Sequence, residues 1–176
     1  VHQSRELLKE TSSCRIEVVF CTLDEKLYIK RTYPDDKRLV FRNLEKIDSI
    51  HIPKIREVIF DENTTVIEEF INGQRLSEII ENNVITRKQV QKWAIQIFEV
   101  VNALHSGEIV HRDIKPDNSL IDSDDNLLLI DFEIARLYND TARHDTQHVG
   151  TIGYAPPGQF GFSQTDFRSD LYAVGM

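Results

Sequence analysis

The first 70 residues carry mostly strand-like patterns of apolar and polar positions, and from about residue 72 the spacing turns helical. "IEVVF" (16–20) and "KLYIK" (26–30) read as two strands around the polar connection "CTLDE", which predicts a hairpin. In "KRLVFRNLEKI" (37–47), Val40, Phe41, Leu44 and Ile47 fall at helical spacing. "REVIF" (56–60) and "TTVIEEF" (64–70) are two further strand candidates, separated by the turn-like "DEN". "SEIIENN" reads as a short helix. Thr86 opens a longer one, with Gln89 placed to complete a capping box. Trp93, Ile97, Val100, Val101 and Leu104 mark its buried face, and Gly107 its stop. "SLI" (119–121) and "LLLI" (127–130) read as short strands on either side of the turn "DSDDN". The order predicts an α+β architecture: a strand-rich first unit with one helix, a connector near residue 72, and a mostly helical second unit with polar loops. Ligands favour the crevice between two such units.

Composition narrows the class of protein. At 176 residues the chain has room for one medium domain or two small lobes, and 40% hydrophobic with 28% charged residues is ordinary for a soluble fold. Net charge is −8 and uneven: residues 1–60 hold 12 Lys and Arg against 10 Asp and Glu, residues 61–176 hold 9 against 19. An acidic second half argues against a nucleic-acid partner, which needs a phosphate-neutralising surface. No apolar run has the length of a bilayer span and no signal peptide opens the chain, so a cytoplasmic location is expected. Cys14 and Cys21 read as reduced thiols, because a disulfide framework or a metal site needs more partners.

The chemistry is concentrated in "HRDIKPDN" (111–118). Pro116 argues against a continuous helix, so His111, Arg112, Asp113, Lys115, Asp117 and Asn118 crowd one loop. Phosphoryl transfer needs a carboxylate to orient the attacking hydroxyl, a cation to steady the moving group, and oxygen ligands for a divalent metal. Asp113, Lys115 and Asn118 supply one of each, and Asp131 in "LIDFEIAR" (129–136) supplies a second metal carboxylate.

These segments resemble a bacterial eukaryotic-type (Hanks-type) serine/threonine protein kinase domain. "HRDIKPDN" matches the catalytic loop of that family, "IDFEIAR" stands at its Asp-Phe-Gly segment, "GTIGYAPP" (150–157) at the end of its activation segment, and "RSDLYAVGM" (168–176) at the start of the helix that follows. The resemblance implies a two-lobe kinase fold, with residues 1–71 as the nucleotide-binding small lobe and residues 72–176 as part of the large lobe. It implies ATP with Mg2+ or Mn2+ as cofactors and a protein substrate. Asp113 would be the catalytic base and Lys115 would contact the transferred phosphoryl group. Asn118 and Asp131 would hold the metal. Lys30 would grip the α and β phosphates, and Glu69, Phe70 and Ile71 would form the hinge that bonds adenine. Arg112 implies control by phosphorylation at Thr141, Thr146 or Thr151, with a structural bond near Asp113 as the second reading of Thr151. His111 and Phe132 would stack with Leu44 and Ile55 between the lobes.

Five departures from the family pattern stand out. The glycine-rich loop is replaced by "KETSSCRI" (9–16), where Ser12 and Ser13 are left to offer hydroxyl bonds to phosphates. The helix at 37–44 has no acid to pair with Lys30. Glu68 precedes the hinge, and its pairing with Lys30 is expected as a replacement for the missing helix acid. Glu133 takes the place of glycine after Asp131 and Phe132, and Gly158 takes the place of a glutamate. The sequence stops inside the last matching segment, so a shortened domain that exposes apolar surface and self-associates is expected. Two alternatives stand beside the kinase reading: a pseudokinase-type regulatory module, favoured by the missing glycines and helix acid, and a small-molecule phosphotransferase of the aminoglycoside or choline kinase type.

Overall fold

The computed structural model describes residues 1–138, 151, 153–156 and 166–176. Five strands form one antiparallel sheet in the order β1-β2-β3-β5-β4: β1 (His2–Glu10), β2 (Arg15–Cys21), β3 (Lys26–Tyr33), β4 (Ile55–Phe60) and β5 (Thr64–Glu69). The predicted hairpin is β2–β3, closed by a turn in which Glu25 adopts a left-handed φ of 57°. β1 is a strand that the apolar pattern did not reveal, because nearly all of its side chains are exposed.

Helix α1 (Arg38–Leu44) is shorter than the 37–47 reading and buries Val40, Phe41 and Leu44. Phe41 stacks on Tyr33 at the end of β3, with ring centroids 5.5 Å apart. β6 (Gly73–Arg75) follows, then α2 (Leu76–Asn82) and the 20-residue α3 (Arg87–Ser106). Thr86 caps α3 with the reciprocal Thr86–Gln89 capping box, and Gly107 ends it. Trp93, Val100, Val101 and Leu104 are buried as the spacing predicts, and Ile97 packs against the core from a partly exposed position. Gln96 is also buried, because its amide oxygen accepts the Leu127 N–H at 2.9 Å and its nitrogen donates to Asn126.

Short strands complete the helical part. β7 (Ile109–Val110) pairs with β10 (Arg136–Leu137), and β6, β8 (Ser119–Asp122) and β9 (Leu127–Leu129) form a three-stranded sheet. α4 (Phe167–Val174) closes the described chain, capped by the Asp166 side chain. A single apolar cluster runs from Cys14, Ile16 and Tyr33 of the strand region through Phe41 and Leu44 to Val100, Leu104, Leu129 and Phe132. The sheet and the helical part therefore share one core, and the polar loops between them are held from both sides. Cys14 and Cys21 are free and buried, and burial pushes the Cys14 thiol up to about 11. Among the described residues no helix is long and apolar enough to cross a membrane.

Candidate active site

One cavity of about 900 Å3 lies between the sheet and the polar loops. Ile16 and Ile29 of the sheet line it, with Glu69, Phe70 and Ile71 after β5, and Asp113, Lys115, Asn118, Asp131 and Thr151. Four cationic side chains (Lys9, Arg31, Arg75 and Lys115) face six carboxylates (Glu68, Glu69, Asp113, Asp117, Asp131 and Glu133) around it.

Asp113 is the most heavily engaged of these carboxylates. Its Oδ1 accepts from the Thr151 hydroxyl at 2.7 Å, and its Oδ2 accepts from Lys115 Nζ and from Asn118 Nδ2, each at 2.8 Å. Lys115 Nζ also reaches Thr151 Oγ1 at 2.7 Å, so Asp113, Lys115 and Thr151 close a ring, with Asn118 joined to it through Asp113. Burial pulls the Asp113 carboxyl up, but the hydrogen bonds from Lys115 and Thr151 outweigh it and hold the group below its ordinary range. The structural reading of Thr151 is thus the one its geometry supports. Thr141, Thr146 and Gly158 lie outside the described residues.

The loop around Asp113 is fixed by a residue 57 positions further on. Asp170 of α4 is fully buried, and its carboxylate accepts the backbone N–H of His111 at 2.9 Å and of Arg112 at 2.8 Å. It also meets His105 Nε2 at 2.9 Å. Arg112 adopts a left-handed φ of 73°, a conformation unfavourable for a residue with a Cβ, and the Asp170 carboxylate holds the backbone there. His111 is buried against Phe132 with ring centroids 4.9 Å apart. Its Nδ1 faces the Asp113 N–H and its Nε2 faces the Ile130 carbonyl, each at 3.3 Å, which specifies a neutral ring protonated at Nε2. Burial pulls its pKa below the ordinary histidine value, against the opposing pull of Asp170. Leu44 and Ile55 belong to the same apolar cluster as Phe132.

The strand cation differs from the expected one. Lys30 does not line the cavity; Arg31 does. Cross-strand register explains why. Lys30 stands opposite Glu17 on β2 and Ile67 on β5, whereas Glu68 stands opposite Ile29, on the other face of the sheet. Side chains alternate faces along a strand, so Arg31 shares the face of Glu68 and Lys30 cannot. Arg31 Nε donates to Glu68 Oε1 at 2.7 Å with both side chains buried, and Arg31 Nη1 lies 3.6 Å from Asp131 Oδ1. Lys30 Nζ instead lies 4.0 Å from Glu17 Oε2. The expected Glu68–Lys30 pair is therefore replaced by Glu68–Arg31. Burial opposes the charge on Arg31, but Glu68, together with Tyr33 and Asp131, more than offsets it and raises the guanidinium above its ordinary value. A strict period-2 reading of β3, with Ile29, Arg31 and Tyr33 on one face, could have found this residue. Asp170 lies in "RSDLYAVGM", a segment the resemblance singled out, but nothing local to it pointed to the loop at His111.

Glu133 does not sit in a left-handed conformation; among the described residues of this segment it is Asp131 that does, at φ 69°. Glu133 Oε2 meets Lys9 Nζ at 3.4 Å, and Glu133 Oε1 accepts from the Ser13 hydroxyl. The segment in the place of the glycine-rich loop is thereby tied to the residue after Phe132. Ser13 lines the cavity and the exposed Ser12 does not.

The family description "protein kinase domain" matches residues 33–176. The chain belongs to the protein kinase domain family. It is 31% identical over 157 residues to a probable serine/threonine-protein kinase of Clostridium acetobutylicum, covering 84% of this chain and 24% of that protein. It is 35% identical over 114 residues to the probable serine/threonine-protein kinase PknB of Corynebacterium glutamicum, covering 62% and 18%. It is 32% identical over 143 residues to serine/threonine-protein kinase A of a Synechocystis strain, covering 73% and 27%. The chain thus spans between 18% and 27% of the length of these relatives. The kinase match begins at Tyr33, the last residue of β3, so Arg31 and the Ser13 segment lie ahead of it.

Proposed function

We propose that this kinase-family chain carries out ATP-dependent phosphoryl transfer to serine or threonine hydroxyls of protein substrates. The observation that supports it best is the closed ring of Asp113, Lys115 and Thr151, with Asn118 bonded to Asp113, opening on a cavity that also holds Asp131. Phosphoryl transfer asks little covalent chemistry of a protein and much positioning. Asp113, kept ionised by Lys115 and Thr151, would accept a hydrogen bond from the substrate hydroxyl and take its proton as the new oxygen–phosphorus bond forms and the bond from the γ-phosphorus to the β-phosphate's bridging oxygen breaks, with ADP as the leaving group. Lys115 would hold the moving phosphoryl group in line while remaining paired with Asp113.

Asn118 and Asp131 offer an amide and a carboxylate oxygen, the hard ligands that suit Mg2+ or Mn2+. Both of the Asn118 amide donations go to Asp113, which leaves its oxygen as the group available to a cation. Among the described residues no group of three or more His, Cys, Asp or Glu could cage a metal alone. That fits a cation held by one or two protein oxygens and shared with substrate phosphates. Six carboxylates against four cations around the cavity also disfavour a bare polyanion, so a divalent ion would supply the charge neutralisation that lets a triphosphate enter. The buried free thiols suit a reducing, cytoplasmic compartment.

One observation favours the second reading, a kinase-shaped binding module: Lys9 and Ser13 are drawn onto Glu133 in place of a glycine backbone open to phosphates. Transfer of labelled phosphate from ATP with Mg2+ to a generic basic protein separates the two. Transfer lost in Asp113→Asn supports the enzyme. Nucleotide binding with no transfer under any divalent metal supports the module.

A further inference from the structure

We infer that Arg31 is the side chain that grips the nucleotide's phosphate oxygens, and that Glu68 positions it from within the sheet, in place of any acid on helix α1. This inference rests on the phosphoryl-transfer reading and assigns two residues that lie outside its catalytic ring.

Arg31 projects into the cavity from the strand next to β5, and its side chain is 7% exposed. One end of the guanidinium is spent on Glu68: Nε donates to Oε1 at 2.7 Å. The other end is not. Nη1 is a buried donor with no hydrogen-bond partner among the described residues, and it lies 3.6 Å from the candidate metal carboxylate of Asp131. A buried, unmatched guanidinium donor is costly unless something answers it. A phosphate oxygen beside a cation on Asp131 is the ligand whose charge and acceptor geometry answer it, and guanidinium is the side chain best shaped for phosphate.

Glu68 has no competing role. It is buried, its carboxylate meets Arg31, and Lys30 is on the opposite face. Helix α1 contributes no acid: its sequence is Arg-Leu-Val-Phe-Arg-Asn-Leu, and Glu45 just beyond it is exposed. The consequence concerns control. A pair made between two strands joined by backbone hydrogen bonds keeps its length whatever α1 does. The phosphate grip is then set by the sheet and does not depend on docking of that helix.

The test is titration calorimetry of the chain with MgADP and, separately, with adenosine. The double variant Arg31→Gln with Glu68→Gln removes both charges together and so leaves no lone buried ion. It should weaken MgADP roughly 10- to 100-fold, the worth of a hydrogen bond to a charged group, and leave adenosine unchanged. Glu68→Gln alone should give part of that loss, and Glu68→Asp should recover some of it. Lys30→Gln should change neither ligand. Equal weakening of MgADP and adenosine in the double variant would reveal a role in cavity shape only, and would overturn the inference. So would a Lys30→Gln loss as large as that of the double variant. If the unaltered chain binds MgADP and the double variant binds it as well, Arg31 alone falls. If the unaltered chain binds neither ligand, the phosphoryl-transfer reading falls with it.

Discussion

Glu133 pairs with Lys9 at 3.4 Å across 124 positions of sequence, with its other carboxylate oxygen taken by the Ser13 hydroxyl. Glu133 thus acts as a side chain at a position where the family resemblance leads one to expect glycine for its backbone freedom. The left-handed conformation in this segment falls on Asp131. Replacement of Glu133 by glycine should leave global stability within about 1 kcal/mol, because the ion pair is partly exposed. It should accelerate amide exchange across residues 9–14, since these lose their tie to the opposite side of the cavity. Unchanged exchange there would show that the tie does not hold the segment.

Asp170 satisfies two buried backbone donors at once, those of His111 and Arg112. Asp170→Ala should cost about 1–3 kcal/mol for each donor left unmatched, read as a lower urea midpoint. It also releases Arg112 from its left-handed conformation, so the loop at 111–118 should lose order. A loss below about 1 kcal/mol would contradict the pinning role.

Thr151 holds Asp113 Oδ1 at 2.7 Å. Thr151→Ala removes that donor and should lower phosphoryl transfer about 10-fold or more with little change in folding. Thr151→Ser keeps the hydroxyl and should keep most of the rate. Equal rates for alanine and serine, or a serine variant as slow as alanine, would mean that the hydroxyl is not what matters.

Gly73 pairs with Asp122 where β6 meets β8, and a Cβ there would come 2.7 Å from the Ile121 carbonyl oxygen. Backbone cannot swing aside as a side chain can. Gly73→Ala should therefore push the two strands apart and cost about 1–3 kcal/mol, measured by chemical denaturation. An unchanged midpoint would show that the pair yields without strain.

His111 predicts a pH dependence of stability with a definite sign. Its folded-state pKa lies below the ordinary value, because burial disfavours the charged ring. Below about pH 6.5 the unfolded chain binds a proton at this residue that the folded chain resists, so stability falls as pH falls through that range. Comparing urea midpoints at about pH 7 and 5.5 should show this loss, and His111→Phe should shrink it. An equal loss in the variant would place the titrating group elsewhere.

Much of the fold was legible because its signals are local. The capping box of Thr86 and Gln89, the stripe of Trp93, Val100, Val101 and Leu104, and the β2–β3 hairpin each depend on residues within a turn or two of one another. The candidate site was legible as a cluster for the same reason: Asp113, Lys115 and Asn118 occupy one loop, and in the structure Lys115 and Asn118 both donate to Asp113. β1 was not legible, because an exposed edge strand bears little apolar alternation. The family resemblance pointed to Lys30, and that Arg31 and not Lys30 faces the cavity was not legible from the motif, because one residue along a strand reverses the face.

The sequence by itself determined most of the larger elements, the kinase family and the loop that gathers the candidate site residues, since periodicity, capping and loop composition act over short separations. Only the tertiary structure decided which charges meet. Arg31 finds Glu68 from 37 positions away, Glu133 finds Ser13 from 120, and Asp170 finds His111 from 59. Sheet register and shared burial set those encounters. Ion pairs and hydrogen bonds depend on distance in space, and that distance is fixed only when the whole core packs.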